Sequence, residues 1–501
     1  MSRTATALAR VRVRRGAPLS VTLVALTLSL FLPPVADDLP LAGQRALVVT
    51  LAAIVLWTTE ALEPGVTALL SVALLALTGS SMRGALQGFA SPVPYFLVGV
   101  LTMGVAVVRS GLAERLARAI LARARGRSFA VYLQLVLAFP ALTFVLPSAT
   151  TRSGILIHIY DELFTLAAVP RGADIAKAVM LALSSINRLA STALLTGGIT
   201  PVMSAAIIAA GLDANAGIEG RHGFAGAARA LGGLGAISGP PITWTGWFAL
   251  MAVPYYAILL LGGALTYALY RRGFQRPLPA PAPVARRPLS GAEWRTLAVI
   301  LGASALWLTD AVHHLDPTLP ALLAFVALLT PRFGPLGWAD LERGVGWANF
   351  FVIAASISLA QALGASGAAA WLGRLLVGAL PALGGGALAT LVLLMLGATA
   401  LRAIVPNISG FLALALPIAM SVGRESGLNP LVCALVVMMA GDTVIYYPAQ
   451  SPSALVIYER GHVTAGEFLR FGVWMTLVGW VAILGVAPPW WNFVGEPLTP
   501  R

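Results

Sequence analysis

Apolar run after apolar run in this chain approaches or exceeds about 20 residues, the length an α-helix needs to cross the hydrocarbon core of a bilayer. Read this way, spans are expected near 18–35, 43–62, 65–80, 92–110, 173–211, 247–270, 294–312, 317–330, 347–365, 428–459 and 465–490. Only 11% of the 501 residues are charged and 58% are hydrophobic, too few charges for a soluble domain to cover its own surface. The 51 glycines and 33 prolines suit broken membrane helices better than a soluble helical fold. Cys433, the single cysteine, lies in an apolar run, so neither a disulfide framework nor a metal cluster is expected.

The formal charge of +13 resides mainly in arginines, which gather in three short stretches: Arg3 to Arg15, Arg109 to Arg127, and Arg271 to Arg287. Each stretch flanks an apolar run, as cytoplasmic loops do under the positive-inside rule, so the basic balance points to a membrane and not to nucleic acid. The apolar Leu19–Leu32 run follows the first stretch, but Pro33, Pro34, Asp37 and Asp38 come next where a signal peptide would have its small-residue cleavage site. It is read as an uncleaved first span.

Two apolar segments, 129–169 and 384–423, are interrupted in the middle by polar residues. Taken as re-entrant hairpins, they leave about eleven transmembrane helices, with the N-terminus inside and the C-terminus outside. All three arginine stretches then face the cytoplasm. The chain divides into a basic N-terminus with its first helix (1–42), a first repeat (43–270, with hairpin 129–169 and broken helix 173–211), and a Pro/Arg-rich linker (271–293). A second repeat (294–490, with hairpin 384–423 and broken helix 428–459) and a tail (491–501) follow. The five prolines between 277 and 288 make that stretch a linker and not a helix, and 212–246 is Gly-rich and ambiguous.

A single shift of 256 residues maps Leu86-Gln87-Gly88 onto Glu342-Arg343-Gly344, Ser110-Gly111 onto Ser366-Gly367, and Ser153-Gly154 onto Ser409-Gly410. Three matches at one shift, in similar hydropathic settings, indicate an internal repeat. An odd number of crossings separates equivalent points, which inverts the second copy relative to the first, the architecture of secondary transporters. After the fourth and ninth spans come amphipathic stretches, one with Leu112, Leu116 and Ile120 on a shared face, the other with Trp371, Leu372, Leu375 and Leu376. Both read as helices lying along the membrane surface.

Polar residues interrupt the apolar pattern at four repeat-related points: Pro147 to Gly154, Thr196 to Pro201, Arg402 to Gly410, and Tyr447 to Ser453. Where a helix breaks inside a membrane, its freed carbonyls can coordinate a cation, and its freed amides and positive N-terminus can receive an anion. The alternative is that proline and glycine merely kink helices that pack through Ser and Thr. For an anionic substrate the candidates are Ser148, Thr150, Thr151, Arg152, Thr200, Pro201, Asn407, Ser409, Gln450, Ser451 and Pro452. For a cation they are Ser148, Ala149, Thr150, Gly197, Gly198, Pro406, Asn407, Ala449 and Asp442. Arg152 and Arg402 sit at the two hairpin tips, where a guanidinium matches a carboxylate or sulfate bidentately, and Arg152 is the expected anion contact. Asp442 lies within two residues of Asn187-Arg188 by the repeat shift. It reads either as an ion pair with Arg188 or as a proton or cation site.

A tip with Ser148-x-Thr150, a Gly197-Gly198-x-Thr200-Pro201 break, a second tip with Asn407-x-Ser409 before Leu416-Pro417-Ile418, and a closing Pro448-x-x-Ser451-Pro452 resemble the divalent anion/sodium symporter family of the ion transporter superfamily. The resemblance extends over about residues 43 to 490. The fold expected is an all-α polytopic membrane protein of two inverted-topology repeats, placed in a bacterial inner membrane, and the resemblance implies that it works as a homodimer. Each subunit would carry sodium with a C4-dicarboxylate-like anion or sulfate by elevator movement. The chain departs from the family pattern at Ala149, where an Asn is usual, and at Val202-Met203 and Ser453-Ala454, where the Pro-Asn ending of the family's breaks is missing. Side-chain amides that help hold sodium are thereby lost, which leaves proton coupling or exchange open beside sodium symport. No phosphate-binding loop for ATP drive and no nucleophile–base pair is present, so a transporter is expected and not an enzyme, with no cofactor beyond a possible sodium ion.

Overall fold

The computed structural model describes residues 20–22, 24–27, 32–122, 127–146, 148–213, 243–278, 288–383 and 385–500. Among these residues every regular element is helical. The basic N-terminus, part of the first expected span, most of 212–246 and the centre of the 277–288 linker lie outside them.

The Ser-Gly pairs found by the repeat shift mark the same local event twice. The helix Val93–Arg109 ends at Gly111, with φ +85°, and Trp347–Ala365 ends at Gly367, with φ +79°. A left-handed φ costs glycine little, so the chain can leave each helix sharply. At the first pair it turns through 72° into Leu112–Ala122, and an 11-residue helix, Ala368–Gly378, also follows the second. Leu112, Ala113 and Ala117 on one side, and Ala368 and Ala369 on the other, are buried against the bundle. Helices form where the two amphipathic stretches were expected, but the second buries Ala368, Ala369 and Gly373 and leaves Leu375 of the expected apolar face exposed.

Each short helix leads into a pair of limbs and then into a broken helix. The first pair is Ser128–Val145 with Ala149–Leu166, followed by Asp174–Leu181, Ala182–Ile186, Asn187–Thr192 and Ile199–Asp213. The second is Gly386–Ile404 with Ile408–Glu425, followed by Pro430–Asp442 and Pro452–Tyr458. The helix breaks fall where the polar interruptions predict them. Ser148 and Asn407 both adopt extended backbone and cap the second limbs, Ser148 Oγ accepting from the Thr151 N–H (3.2 Å) and Asn407 Oδ1 from those of Ser409 (2.9 Å) and Gly410 (3.1 Å).

Lipid tails are as apolar as leucine, so the helices associate through close packing and not through hydrophobic collapse. A Cβ on Gly99 would lie 2.6 Å from the Ala321 carbonyl oxygen, and one on Gly88 only 1.9 Å from that of Ala354. Backbone thus meets backbone between Val93–Arg109 and Thr318–Leu329, and between Gln87–Ala90 and Trp347–Ala365.

Helix lengths differ from one expected span to the next. Among the described residues seven helices are long and apolar enough to cross a bilayer unaided, or up to eight if the bent pair counts as one. Three of the seven, Ser128–Val145, Gly386–Ile404 and Ile408–Glu425, are limbs of the expected hairpins. At 18 or 19 residues each limb is about 27 Å long, more than a shallow re-entrant loop requires. Pro64–Leu77, Thr318–Leu329 and Pro430–Asp442 run only 14, 12 and 13 residues. Turn and break residues claim the ends of these apolar runs, so hydropathy overstates the length of the helices.

Candidate functional site

Both limb tips and both breaks are joined by one continuous network of buried polar groups. Asn187 and Arg188, adjacent in the first broken helix, form its centre. Just upstream the helix widens into a π-turn at Ala182–Ile186, a local irregularity common at functional sites. Ser153 Oγ donates to the Leu183 carbonyl (2.7 Å) and Ser453 Oγ to that of Ser184 (3.4 Å), so the irregular turn is held from both halves of the chain.

Asn187 serves the first tip. Its amide donates to the Ala149 carbonyl and to Ser153 Oγ, both at 2.9 Å, and its Oδ1 accepts from Arg152 Nε at 2.7 Å. Arg152 is fully buried. Its remaining nitrogens donate to the carbonyls of Leu146 (2.5 Å) and Asn187 (3.0 Å) and to Ser191 Oγ (2.5 Å).

Arg188 serves the second break. It donates to Asp442 Oδ1 and to the Asp442 carbonyl. The Asp442 carboxylate also accepts from Thr192 Oγ1 (2.7 Å), Tyr255 OH (3.2 Å) and Thr200 Oγ1 (3.3 Å). One residue earlier, the Gly441 carbonyl accepts from Arg402 Nε at 3.2 Å. Arg402, also buried, donates to the carbonyls of Val405 (2.6 Å), Pro406 (2.5 Å) and Gln450 (3.3 Å). Gln450 completes this end, its Nε2 donating to the Arg402 carbonyl (2.8 Å) and its Oε1 accepting the Tyr446 N–H (2.6 Å).

This arrangement gives the expected site residues their contacts. The Arg152 guanidinium is occupied by the Leu146 carbonyl, where the first limb ends, and by oxygens of Asn187 and Ser191 in the broken helix. Breaking a helix frees carbonyls that need donors, and a cation is favoured at a helix C-terminus. Arg402 has the same role at the second tip. Asp442 is not an open cation ligand, since four donors from Arg188, Thr192, Thr200 and Tyr255 surround its carboxylate. The ion pair with Arg188 was one of two readings of that residue. Among the other cation candidates, the Ala149 and Pro406 carbonyls are engaged by Asn187 and Arg402, and the Ser148 and Asn407 oxygens cap their helices.

The remaining candidates lie around this centre. Ser148, Thr150, Thr151, Asn407 and Gly198 are half-buried, Ala449 and Pro452 exposed, and Pro201 buried. Ser409 is buried, and Ser451 is buried with its hydroxyl 2.8 Å from that of Ser453. Asn187, Thr192 and Tyr255 were missed as site residues. The pairing of Asn187-Arg188 with Asp442 under the repeat shift was a usable signal, but nothing local distinguishes Thr192 or Tyr255 from packing residues.

The first break closes on itself tightly. Gly198 has φ +156° and ψ −163°, a region essentially reserved for glycine. A Cβ on Gly197 would lie 1.7 Å from the Ser191 carbonyl oxygen. The indoles of Trp247 and Trp244 reach in to donate to the Thr192 carbonyl (3.1 Å) and Thr196 Oγ1 (3.3 Å). Gly197→Ala is expected to abolish transport and destabilise the protein by about 1–3 kcal/mol or more, because the break must open to admit the methyl group. Uptake and thermal unfolding of the variant, measured together, check this.

A membrane-embedded α-helical carrier is the class that such a bundle defines, with helices broken in pairs around a buried polar centre. The chain belongs to the family described as the sodium:sulfate symporter transmembrane region, whose model matches residues 16–496. It is an integral membrane transporter and not an enzyme. Relatives include a protein named only as a membrane protein from Cupriavidus necator, 24% identical, with 92% of this chain and 90% of that one covered. Dicarboxylate transporter 1 of Arabidopsis thaliana chloroplasts is 23% identical, covering 94% of this chain and 82% of its own. The L-tartrate/succinate antiporter of Escherichia coli K12 is also 23% identical, with 80% and 79% covered.

Proposed function

We propose that this protein carries small divalent anions, C4-dicarboxylates or sulfate, across a bacterial inner membrane by exchanging one for another. The charge of the polar centre carries the reading. The network holds three guanidinium groups, Arg152, Arg188 and Arg402, and one carboxylate, Asp442, which pairs with Arg188, leaving a surplus of two positive charges around the breaks. Uncompensated charge in a water-poor interior is costly, and a dianion is the ligand that neutralises this surplus. The relatives named for dicarboxylates and for tartrate and succinate agree with that ligand class.

The same bookkeeping favours exchange over sodium symport. Carbonyls freed at the tips are the oxygens that would ligate a coupling cation in broken-helix carriers, and Arg152, Asn187 and Arg402 side chains hold them here. With positive charge built in, a dianion needs no accompanying sodium to be balanced. Sodium symport, implied by the family resemblance, is the competing reading.

Movement of elevator type fits a further feature. A cavity of about 280 Å³ is lined by residues of the half-helix Ile199–Asp213, of Val93–Arg109 and of Trp347–Ala365, the half-helix contributing Val202, Ala205, Ala206, Ala209 and Ala210. Small side chains offer little resistance to sliding. The proposal includes a cytoplasmic N-terminus and assembly as a homodimer, which labelling from one membrane face and cross-linking in lipid would examine.

Uptake of labelled succinate and of sulfate into proteoliposomes tests the function. Rapid uptake is expected only when the vesicles are loaded with unlabelled anion, unchanged when choline replaces sodium. Uptake into anion-free vesicles that follows an inward sodium gradient would establish symport instead. No uptake of either anion under any gradient would remove the proposed substrate class.

A further inference from the structure

Three arginines enter the buried centre, and their hydrogen bonds are unequal. Arg152 and Arg402 are 0% and 1% exposed and clasp carbonyls on several sides. Arg188 differs in two respects. Its side chain is 13% exposed, and its buried Nε–H has no partner. Its terminal nitrogens are both committed to Asp442, one to the carboxylate and one to the backbone carbonyl.

An arginine presents an edge made of Nε–H and one terminal N–H, which matches the two oxygens of a carboxylate. On Arg188 the Nε–H of that edge is vacant, while Asp442 holds the far end of the fork in place. A buried donor without an acceptor is an unfavourable arrangement unless something is to be bound there. Asp442 is unusual as well. Thr192, Thr200 and Tyr255 supply hydroxyl donors besides Arg188, so its charge stays stabilised if Arg188 shares its own charge with another anion. Thr200 lies at the start of the half-helix Ile199–Asp213, whose positive N-terminal end therefore approaches the same point.

The geometry points to Arg188 as the residue that binds a carboxylate of the transported anion, through its unpartnered Nε–H edge, with Asp442 as the group that orients it. This rests on the proposed anion exchange and adds to it the residue that selects the substrate. It moves the substrate contact from the tips, where Arg152 is fully engaged, to the junction between the two broken helices. A carboxylate and a sulfate both match the fork, and the relatives named for dicarboxylates and for tartrate and succinate make dicarboxylates the class taken.

The discriminating variant is Arg188→Lys. A lysine retains the charge and the ion pair with Asp442, so a purely structural role for Arg188 would survive the exchange. It lacks the Nε–H, so a substrate contact would not. Full-length protein in lipid nanodiscs should be unfolded thermally with increasing succinate against chloride at matched ionic strength, and its succinate KM and maximal rate measured in loaded proteoliposomes. Succinate is expected to raise the wild-type unfolding temperature. In Arg188→Lys the succinate needed for the same rise, and the KM, should increase by roughly tenfold or more, with the unfolding temperature in chloride near wild type. A lysine variant with unchanged succinate requirement and KM overturns the assignment of Arg188 while leaving anion exchange standing. If Arg188→Lys fails to fold, the paired variant Arg188→Gln/Asp442→Asn, which removes both charges, takes its place with the same expected loss and the same overturning result. A wild-type protein that neither succinate nor sulfate stabilises, and that transports neither, overturns the functional reading and this inference with it.

Discussion

Replacing Asp442 with alanine is expected to cost the folded protein about 3–5 kcal/mol, the effect of removing one partner from a buried ion pair. The side chain is fully buried, and its loss leaves the Arg188 charge without a counter-ion. It also strips acceptors from Thr192, Thr200 and Tyr255. The effect should be asymmetric. Arg188→Met combined with Asp442→Leu removes both charges and should recover much of the loss, since a buried ion pair is often worth little more than apolar packing of similar volume. Equilibrium unfolding of the two single variants and the double in lipid measures both the penalty and its recovery. A penalty below about 1 kcal/mol for Asp442→Ala would place the pair in water, at odds with its burial.

The fold was legible in the sequence to the extent that hydropathy and turn chemistry are local. Apolar runs located nearly every helix, and Ser110-Gly111 and Ser366-Gly367 marked two equivalent chain reversals because only glycine readily takes the left-handed φ found at both. Asn407 and Ser148 were legible as tip residues because a cap must be a short polar side chain next to a break. Span number was less legible. Hydropathy measures apolarity along the chain, whereas the end of a helix depends on caps and on which carbonyls find donors.

For the site, the sequence pointed to the segments that meet in the polar network, while the contacts each arginine makes there lay beyond its reach. An arginine at a membrane-embedded tip satisfies two demands equally in sequence: it can bind a substrate, or it can satisfy the carbonyls that the break exposes. Only the three-dimensional positions of Leu146, Asn187 and Ser191 show that Arg152 is engaged in the second way. Tyr255 was invisible for a related reason. It comes from a continuous apolar helix, Trp244–Leu269, and its hydroxyl meets Asp442 across 187 residues of sequence. Periodicity cannot foretell which of several aromatic residues on such a helix turns its polar tip toward a buried charge.

Removing Arg402 should expose the link between charge and coupling most directly. Arg402→Ala takes donors from the carbonyls of Val405, Pro406, Gly441 and Gln450 together. Buried polar groups left unpaired cost about 1–3 kcal/mol each, so a loss of several kcal/mol and of transport is expected in sodium-free buffer. Those same oxygens then form an empty cluster of hard ligands at a helix break, the setting in which other carriers hold sodium. Sodium is therefore expected to raise the unfolding temperature of Arg402→Ala relative to choline at equal ionic strength, and to leave wild type unaffected. Selective stabilisation of the wild type by sodium would show that a cation site exists alongside the guanidinium groups, and would turn the reading from exchange to symport. Stabilisation of the variant alone would mean that, in this chain, an arginine occupies the electrostatic place of a coupling ion, so that the cation travels with the protein and never dissociates.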